Sequence, residues 1–244
     1  MCGRFVMIES KEIVLQTFEI QQSGMKLELC YNICPSQDIP VIVQQDGLCS
    51  LEIRQWGFIP FWAKKPTPMI NARAETVSKK PFFRQAFQKQ RCLIPATGFY
   101  EWAKEEGQKQ PYFISLKPEN PEEGNSMFVF AGLWDSWISP EGELKRTCTI
   151  LTVSANSLLQ KIHHRMPVIL TPKNGLKWID PSVTETTLEK LLIPFTAEKM
   201  EAWKVSRKVN TPTFDNPDCL KKLGDSETGE QKPESPEANA SLFD

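Results

Sequence analysis

An α+β fold, built on a barrel-like antiparallel β-sheet with peripheral helices, is predicted by three observations. Runs of strand character outnumber helical ones, turn residues separate them, and regular βαβ alternation is absent. In chain order the strand runs are residues 4–8, 40–43, 51–58, 92–102, 112–116, 127–134, 147–153 and 167–170. Each is rich in β-branched, aromatic or other apolar residues. Asp46-Gly47 separates the second run from the third, Glu123-Gly124-Asn125 precedes the sixth, and Pro140-Glu141-Gly142 sets off the seventh. Helical patterns fall between them at 10–18, 81–88, 155–162, 172–178 and 184–192. The 19 prolines suit a chain with many turns and edge strands. No repeat or linker interrupts residues 1–223, which read as one domain. From 224 onward Ser, Glu, Pro, Thr and Gly dominate and predict a disordered acidic tail.

The chain has 244 residues, 40% of them hydrophobic and 24% charged, which is ordinary globular usage. No stretch approaches the roughly 18 consecutive apolar residues that cross a bilayer, so no membrane partner is expected. Seven irregularly spaced cysteines and the absence of an apolar leader predict a reduced, cytoplasmic protein with free thiols. A net charge of -1 gives no hint of a nucleic-acid partner, but the charge is unevenly spread. Residues 225–244 hold six acids and Lys232, a net of -5, which leaves the body at +4. Residues 54–91 hold nine basic residues (Arg54, Lys64, Lys65, Arg73, Lys79, Lys80, Arg84, Lys89 and Arg91) against Glu75 alone, a net of +8. Trp56, Phe58, Phe61, Trp62, Phe82, Phe83 and Phe87 share that window. Cations that track phosphates and rings that stack on unpaired bases make a single-strand groove; the same residues also suit a solvated basic face over an aromatic core.

Cys2 is the first reactive candidate. Removal of Met1 leaves an α-amine and a thiol on one residue, groups that titrate at about 7.7–8.0 and about 8.5. Such a 1,2-aminothiol traps an aldehyde as a Schiff base and closes through sulfur to a thiazolidine. It equally suits the nucleophile of a cysteine peptidase or autoprotease. The two histidines, His163 and His164, are adjacent, so any imidazole acid or base is one of them. Cys30 and Cys34 lack partners at zinc-site spacing, and no metal or cofactor is expected. Glu101 lies among Gly98-Phe99-Tyr100 and Trp102, where burial would favour its acid form. Strand alternation puts it on the face of Phe99, opposite Tyr100 and Trp102. Asn71 opens Asn71-Ala72-Arg73-Ala74-Glu75, where its amide could hold a sugar oxygen, fix a nucleophile or simply cap a turn.

Together these residues resemble the SRAP family, the SOS-response-associated peptidases described as abasic-site processing proteins. The resemblance rests on Met1-Cys2-Gly3-Arg4-Phe5, Arg54-Gln55-Trp56-Gly57-Phe58-Ile59-Pro60, Asn71-Ala72-Arg73-Ala74-Glu75, the run from Cys92 to Trp102, Ala131-Gly132-Leu133-Trp134 and His163-His164-Arg165-Met166-Pro167. It covers roughly residues 1–215, with six motifs in order. It implies a single α+β domain that binds single-stranded DNA containing abasic sites, acting as a monomer in the bacterial cytoplasm at nucleoid lesions. Cys2 would form a covalent thiazolidine link to the ring-opened sugar, Asn71 would position sugar and N-terminus, Glu101 would assist ring opening and Schiff-base formation, and His163 would be the acid/base. Arg4, Arg73, Arg84 and Arg165 would contact DNA, while Trp56 and Trp62 would shape the groove by stacking or wedging. A Schiff base diverted from ring closure would give weak lyase activity. The terminal Leu242-Phe243 pair resembles peptides that dock on bacterial sliding clamps, which makes a clamp a second expected partner.

Overall fold

The computed structural model describes residues 2–21, 23–118 and 127–224. β1 (Phe5–Met7) is buried throughout, and Ser10 then caps α1 (Lys11–Thr17) by accepting from the Ile13 amide at 3.3 Å. After β2 (Cys30–Ile33) come β3 (Asp38–Gln45) and β4 (Leu48–Trp56), a hairpin whose two turn residues, Asp46 (φ 51°) and Gly47 (φ 79°), are both left-handed. Such a turn matches the natural twist of paired strands. β5 (Asn71–Arg73) runs straight into α2 (Ala74–Val77), and α3 (Pro81–Lys89) opens on proline and buries Phe83, Ala86 and Phe87. β6 (Arg91–Ala96), β7 (Gly98–Glu105), β8 (Gln108–Leu116), β9 (Phe128–Ile138) and β10 (Leu144–Ser154) follow. The short β11 (Arg165–Pro167) and β12 (Ile169–Leu170) precede α4 (Pro172–Ile179), α5 (Glu185–Leu191) and β13 (Met200–Lys204). None of the described helices is long and apolar enough to cross a membrane.

Five strands close on themselves: β4 pairs with β3, β3 with β6, β6 with β9, β9 with β10, and β10 again with β4. Closure leaves this barrel without a free edge. Its last seam is parallel, Thr147 against Gln55 and Cys148 against Trp56, and β5 extends it by pairing parallel with residues 150–152 of β10. The expected antiparallel barrel is therefore mixed at that seam. The second sheet runs β13-β8-β7-β1-β2. One of its faces sends Phe5, Phe99 and Ile114 into the main core, while the other sends Val6, Tyr100 and Phe113 into a smaller core with Val205, Val209 and Cys219.

The run 92–102, read as one strand, divides at Thr97 between the two sheets. The Thr97 amide and hydroxyl both donate to the Val6 carbonyl, at 2.9 and 3.3 Å, and the hydroxyl accepts from the Ile8 amide at 3.3 Å. This corner lays β1 across the barrel, where Phe5 meets Trp56 and Phe130 edge-on at 5.3 and 5.7 Å. The helix expected at 155–162 is only a 3-10 turn, Leu159–Lys161. Asn156 caps the start of that turn, its side chain accepting from the Leu159 amide at 2.9 Å and donating to the Phe195 carbonyl at 2.7 Å. The expected disordered tail and its clamp-like terminus lie outside the described residues.

Candidate active site and basic face

Four segments distant in sequence converge beside the start of β1. Cys2 is fully buried, and Asn71, the first residue of β5, donates from Nδ2 to the Cys2 carbonyl at 2.8 Å. Asn71 is held there because β5 pairs with β10, Ile150 opposite Asn71. β1 pairs antiparallel with β7, Phe5 opposite Phe99, which carries Cys2 alongside Glu101. Alternation on β7 then decides which side chains face the site. Phe99 packs edge-on to Phe130 at 6.1 Å on the main-core side, which Glu101, 4% exposed, shares by strand alternation. Tyr100 turns the other way, packs against Phe113 at 5.4 Å and donates its hydroxyl to the Tyr31 carbonyl at 2.8 Å.

The electrostatics tie the group together. Burial, and then the negative charge of Glu101, push the Cys2 thiol well above its ordinary range. A hydrogen bond to the Arg4 carbonyl opposes this without cancelling it, so the thiol is neutral at physiological pH. Desolvation holds His163 below the ordinary imidazole value of 6.5, with Glu101 opposing and the N-terminal amine and His164 adding to the depression. Glu101 thus acts on both Cys2 and His163. The His163 ring stacks on His164 at 4.3 Å, but His163 is half-buried whereas His164 is exposed. His163 Nδ1 lies 3.0 Å from the Arg165 amide, from which it accepts when the neutral ring carries its proton on Nε2, and 3.4 Å from the Arg165 carbonyl, to which it would donate in the other tautomer.

The basic window sorts into two populations. Arg54 is buried, paired with Glu52 at 2.6 Å, with its guanidinium carbon 3.9 Å from the Trp134 ring centre. Arg91 is buried too and donates to the carbonyls of Trp178, Phe87, Gln88 and Asp180. Both brace the barrel. Of the nine cations the other seven, Arg73 and Arg84 among them, are exposed. The aromatics divide likewise. Trp56 is 0% exposed, donates Nε1 to the Ile70 carbonyl at 2.9 Å and packs on Phe5, so it has no free face for a base; the expectation that it stacks is corrected. Trp62 is 50% exposed and leans edge-on against Phe82 at 6.0 Å, with Phe61 beside it similarly exposed. Their loop is pinned by Asp135, which accepts from the Phe61 amide at 3.0 Å, and by Trp137, which donates to the Ala63 carbonyl at 2.7 Å.

Two further arginines are engaged inside the chain. Arg4 donates to Asn32 Oδ1 (2.8 Å) and to the carbonyls of Val209 (2.6 Å) and Asn210 (3.4 Å), tying β1 to the C-terminal 3-10 turn. Arg165 makes a two-pronged pair with Glu75, at 2.5 and 2.9 Å, and donates to the Thr152 carbonyl. Neither Asn32 nor Asp135 carries a sequence signal, because their partners lie far away along the chain. Among the described residues no group of three or more His, Cys, Asp or Glu side chains could hold a metal ion.

Residues 1–212 match the family SOS response associated peptidase (SRAP). The chain is 42% identical over 227 residues to the abasic site processing protein YoqW of Bacillus subtilis, covering 90% of this chain and 99% of that protein. It is 36% identical over 220 residues to the abasic site processing protein HMCES of Gallus gallus, covering 78% of this chain and 65% of that one. A crystal structure of a Bacteroides thetaiotaomicron protein superposes with a TM-score of 0.77 at 31% identity, over 91% of this chain and all of that one.

Proposed function

Because the chain belongs to the SOS response associated peptidase family, we propose that it processes abasic sites in single-stranded DNA by linking Cys2 covalently to the opened sugar. The observation that carries this reading is the assembly of Cys2, Asn71, Glu101 and His163 from four separate segments around one buried thiol. The abasic sugar is mostly a closed hemiacetal. Opening it requires loss of the C1′ hydroxyl proton and protonation of the ring oxygen, for which a carboxyl and a neutral imidazole are suited. With Met1 removed, the Cys2 amine adds to the aldehyde and water leaves, giving a Schiff base. The sulfur then adds to the imine carbon while its proton passes to nitrogen, giving thiazolidine plus one water overall. A thiol held neutral by burial favours attack by the amine first; a cysteine peptidase would need the thiolate that this environment suppresses. A Schiff base that fails to close undergoes β-elimination, a lyase outcome.

The test is a denaturing gel of the protein with abasic single-stranded DNA: a band resistant to heat and detergent is expected, and its absence ends the proposal. The rate of band formation should also rise with pH. Two proton losses drive the rise: His163, which desolvation holds below 6.5, loses its proton first, and the Cys2 amine, titrating at about 7.7–8.0, becomes nucleophilic later, so the rate climbs to about pH 8. A rate that falls across that interval would assign His163 the acid role instead.

The exposed Arg73, next to Asn71, would hold the phosphate beside the lesion, and the half-exposed Trp62 would meet the neighbouring base. Arg73→Ala should weaken binding and lower the slope of log affinity against log salt by about one, read by fluorescence anisotropy. An unchanged slope removes Arg73 from the interface.

A further inference from the structure

The pair of Glu75 and Arg165 joins residues 90 apart in sequence. Its neighbours show what it spans. Thr152 of β10 pairs with Arg73 of β5 on one side and with Pro167 of β11 on the other. The Thr152 hydroxyl donates to the Ala72 carbonyl at 3.3 Å, next to Asn71, while its carbonyl accepts from Arg165 at 2.5 Å. Glu75 sits in the first turn of α2, directly after β5, and holds the same guanidinium from outside. The Arg165 side chain is therefore clamped between β10 and α2, while its backbone is held in β11 opposite Ser154 of β10. The Arg165 amide lies against His163 Nδ1.

We infer that Glu75 and Arg165 are positioning residues for His163: their pairing fixes the Arg165 amide against Nδ1 and so selects the Nε2-protonated tautomer. It also ties the segment bearing His163 to the strand bearing Asn71, so that both are set relative to Cys2 by one clamp. The groups facing His163 are Glu101 from β7, the N-terminal amine, His164 and Arg165; those facing Glu75 are Arg165 and Arg73. In that tautomer the Nδ1 lone pair is taken by the Arg165 amide and the neutral ring presents Nε2–H as a hydrogen-bond donor to the opening sugar; a ring free to exchange tautomers would present that hydrogen for only part of the time. The inference rests on the reading above for its kinetic consequence alone, since the tautomer is a property of the free protein.

The test measures the His163 tautomer in the 15N-labelled full chain by long-range nitrogen–proton correlation at a pH where the ring is neutral, alongside the rate of adduct formation. In the wild type the Nε2–H tautomer should predominate. In Glu75→Ala it should fall toward an even mixture and the rate should drop about tenfold, with Glu75→Gln, which keeps one hydrogen bond to the guanidinium, recovering much of both. A folded Glu75→Ala protein with an unchanged tautomer overturns the inference, whether or not its rate has fallen. If Glu75→Ala does not fold, Arg165→Lys, which keeps the charge but not the two-pronged geometry, is read by the same two criteria. A wild type that forms no adduct refutes the proposed reaction, yet its tautomer measurement still decides this inference.

Discussion

Cys2→Ala should remove the proposed denaturation-resistant adduct completely, a loss of more than about a hundredfold in rate, because the ring-closing atom is gone. Cys2→Ser separates the two halves of the chemistry. It keeps the α-amine in place beside Glu101 and His163, so a Schiff base still forms and is trapped by borohydride. The hydroxyl is a far weaker nucleophile toward the imine, so without borohydride that species either hydrolyses or nicks the strand by β-elimination. Gel electrophoresis with and without reductant reads both outcomes. An adduct undiminished in Cys2→Ala sinks the mechanism, and a Cys2→Ser protein that cannot be trapped moves the amine chemistry to another residue. Intact mass of the purified protein supplies the third observation, since retained Met1 blocks the Cys2 amine.

Gly98→Ala should cost about 3 kcal/mol of stability, at the upper end of overpacking substitutions, and lower the melting temperature by roughly 10 °C. A Cβ at this position would lie 2.2 and 2.4 Å from ring atoms of Phe113 and 3.0 Å from the Ile114 carbonyl. Phe113 has no easy retreat, because it packs on Tyr100 at 5.4 Å and Trp203 at 5.0 Å in the smaller core. The backbone cannot give way either, since Val6 pairs with Gly98 and Thr97 is bonded to Val6. Thermal unfolding followed by circular dichroism measures the cost. A shift below about 2 °C would mean that β7 and β8 separate more easily than their register suggests. The substitution should also slow adduct formation at temperatures where the protein remains folded, because displacing Gly98 displaces β1 and with it Cys2.

Local pattern carried much of the architecture. Residues 4–8, 51–58, 112–116 and 147–153 read as strands because their apolar and β-branched residues persist over lengths that strands use, and the Asp46-Gly47 turn announces its hairpin. Pairing partners carry no such local mark. The parallel seam between β4 and β10 joins residues about 90 positions apart, and the three-residue β5 is a strand only because β10 lies beside it. The same limit governs the site. Cys2, Asn71, Glu101 and His163 were legible as reactive types, but composition assigns Trp56 and Trp62 the same role, and only the close approach of Phe5 to Trp56 shows that one ring is core and the other surface. Arg54 and Arg91 count toward the basic window although Glu52, Trp134 and backbone carbonyls absorb them. The segment 155–162 shows the reverse error: a helical period is present, yet only the short turn Leu159–Lys161 that Asn156 caps is formed.

β10 has a double duty. Residues 144–150 of this strand pair with β9 in the barrel wall, while residues 150–154 carry β5 along one edge and β11 along the other, and through them Asn71 and the segment of His163. The half of the cleft that holds Asn71 and the segment of His163 is therefore tied to the closed ring and opens only with it, while Cys2 and Glu101 reach it from the second sheet. Under the proposed reaction, a protein joined to DNA through Cys2 would cover the lesion for as long as that ring stays folded. The lifetime of such an obstacle on the strand would then be set by the kinetic stability of a barrel as much as by the chemistry of the proposed thiazolidine.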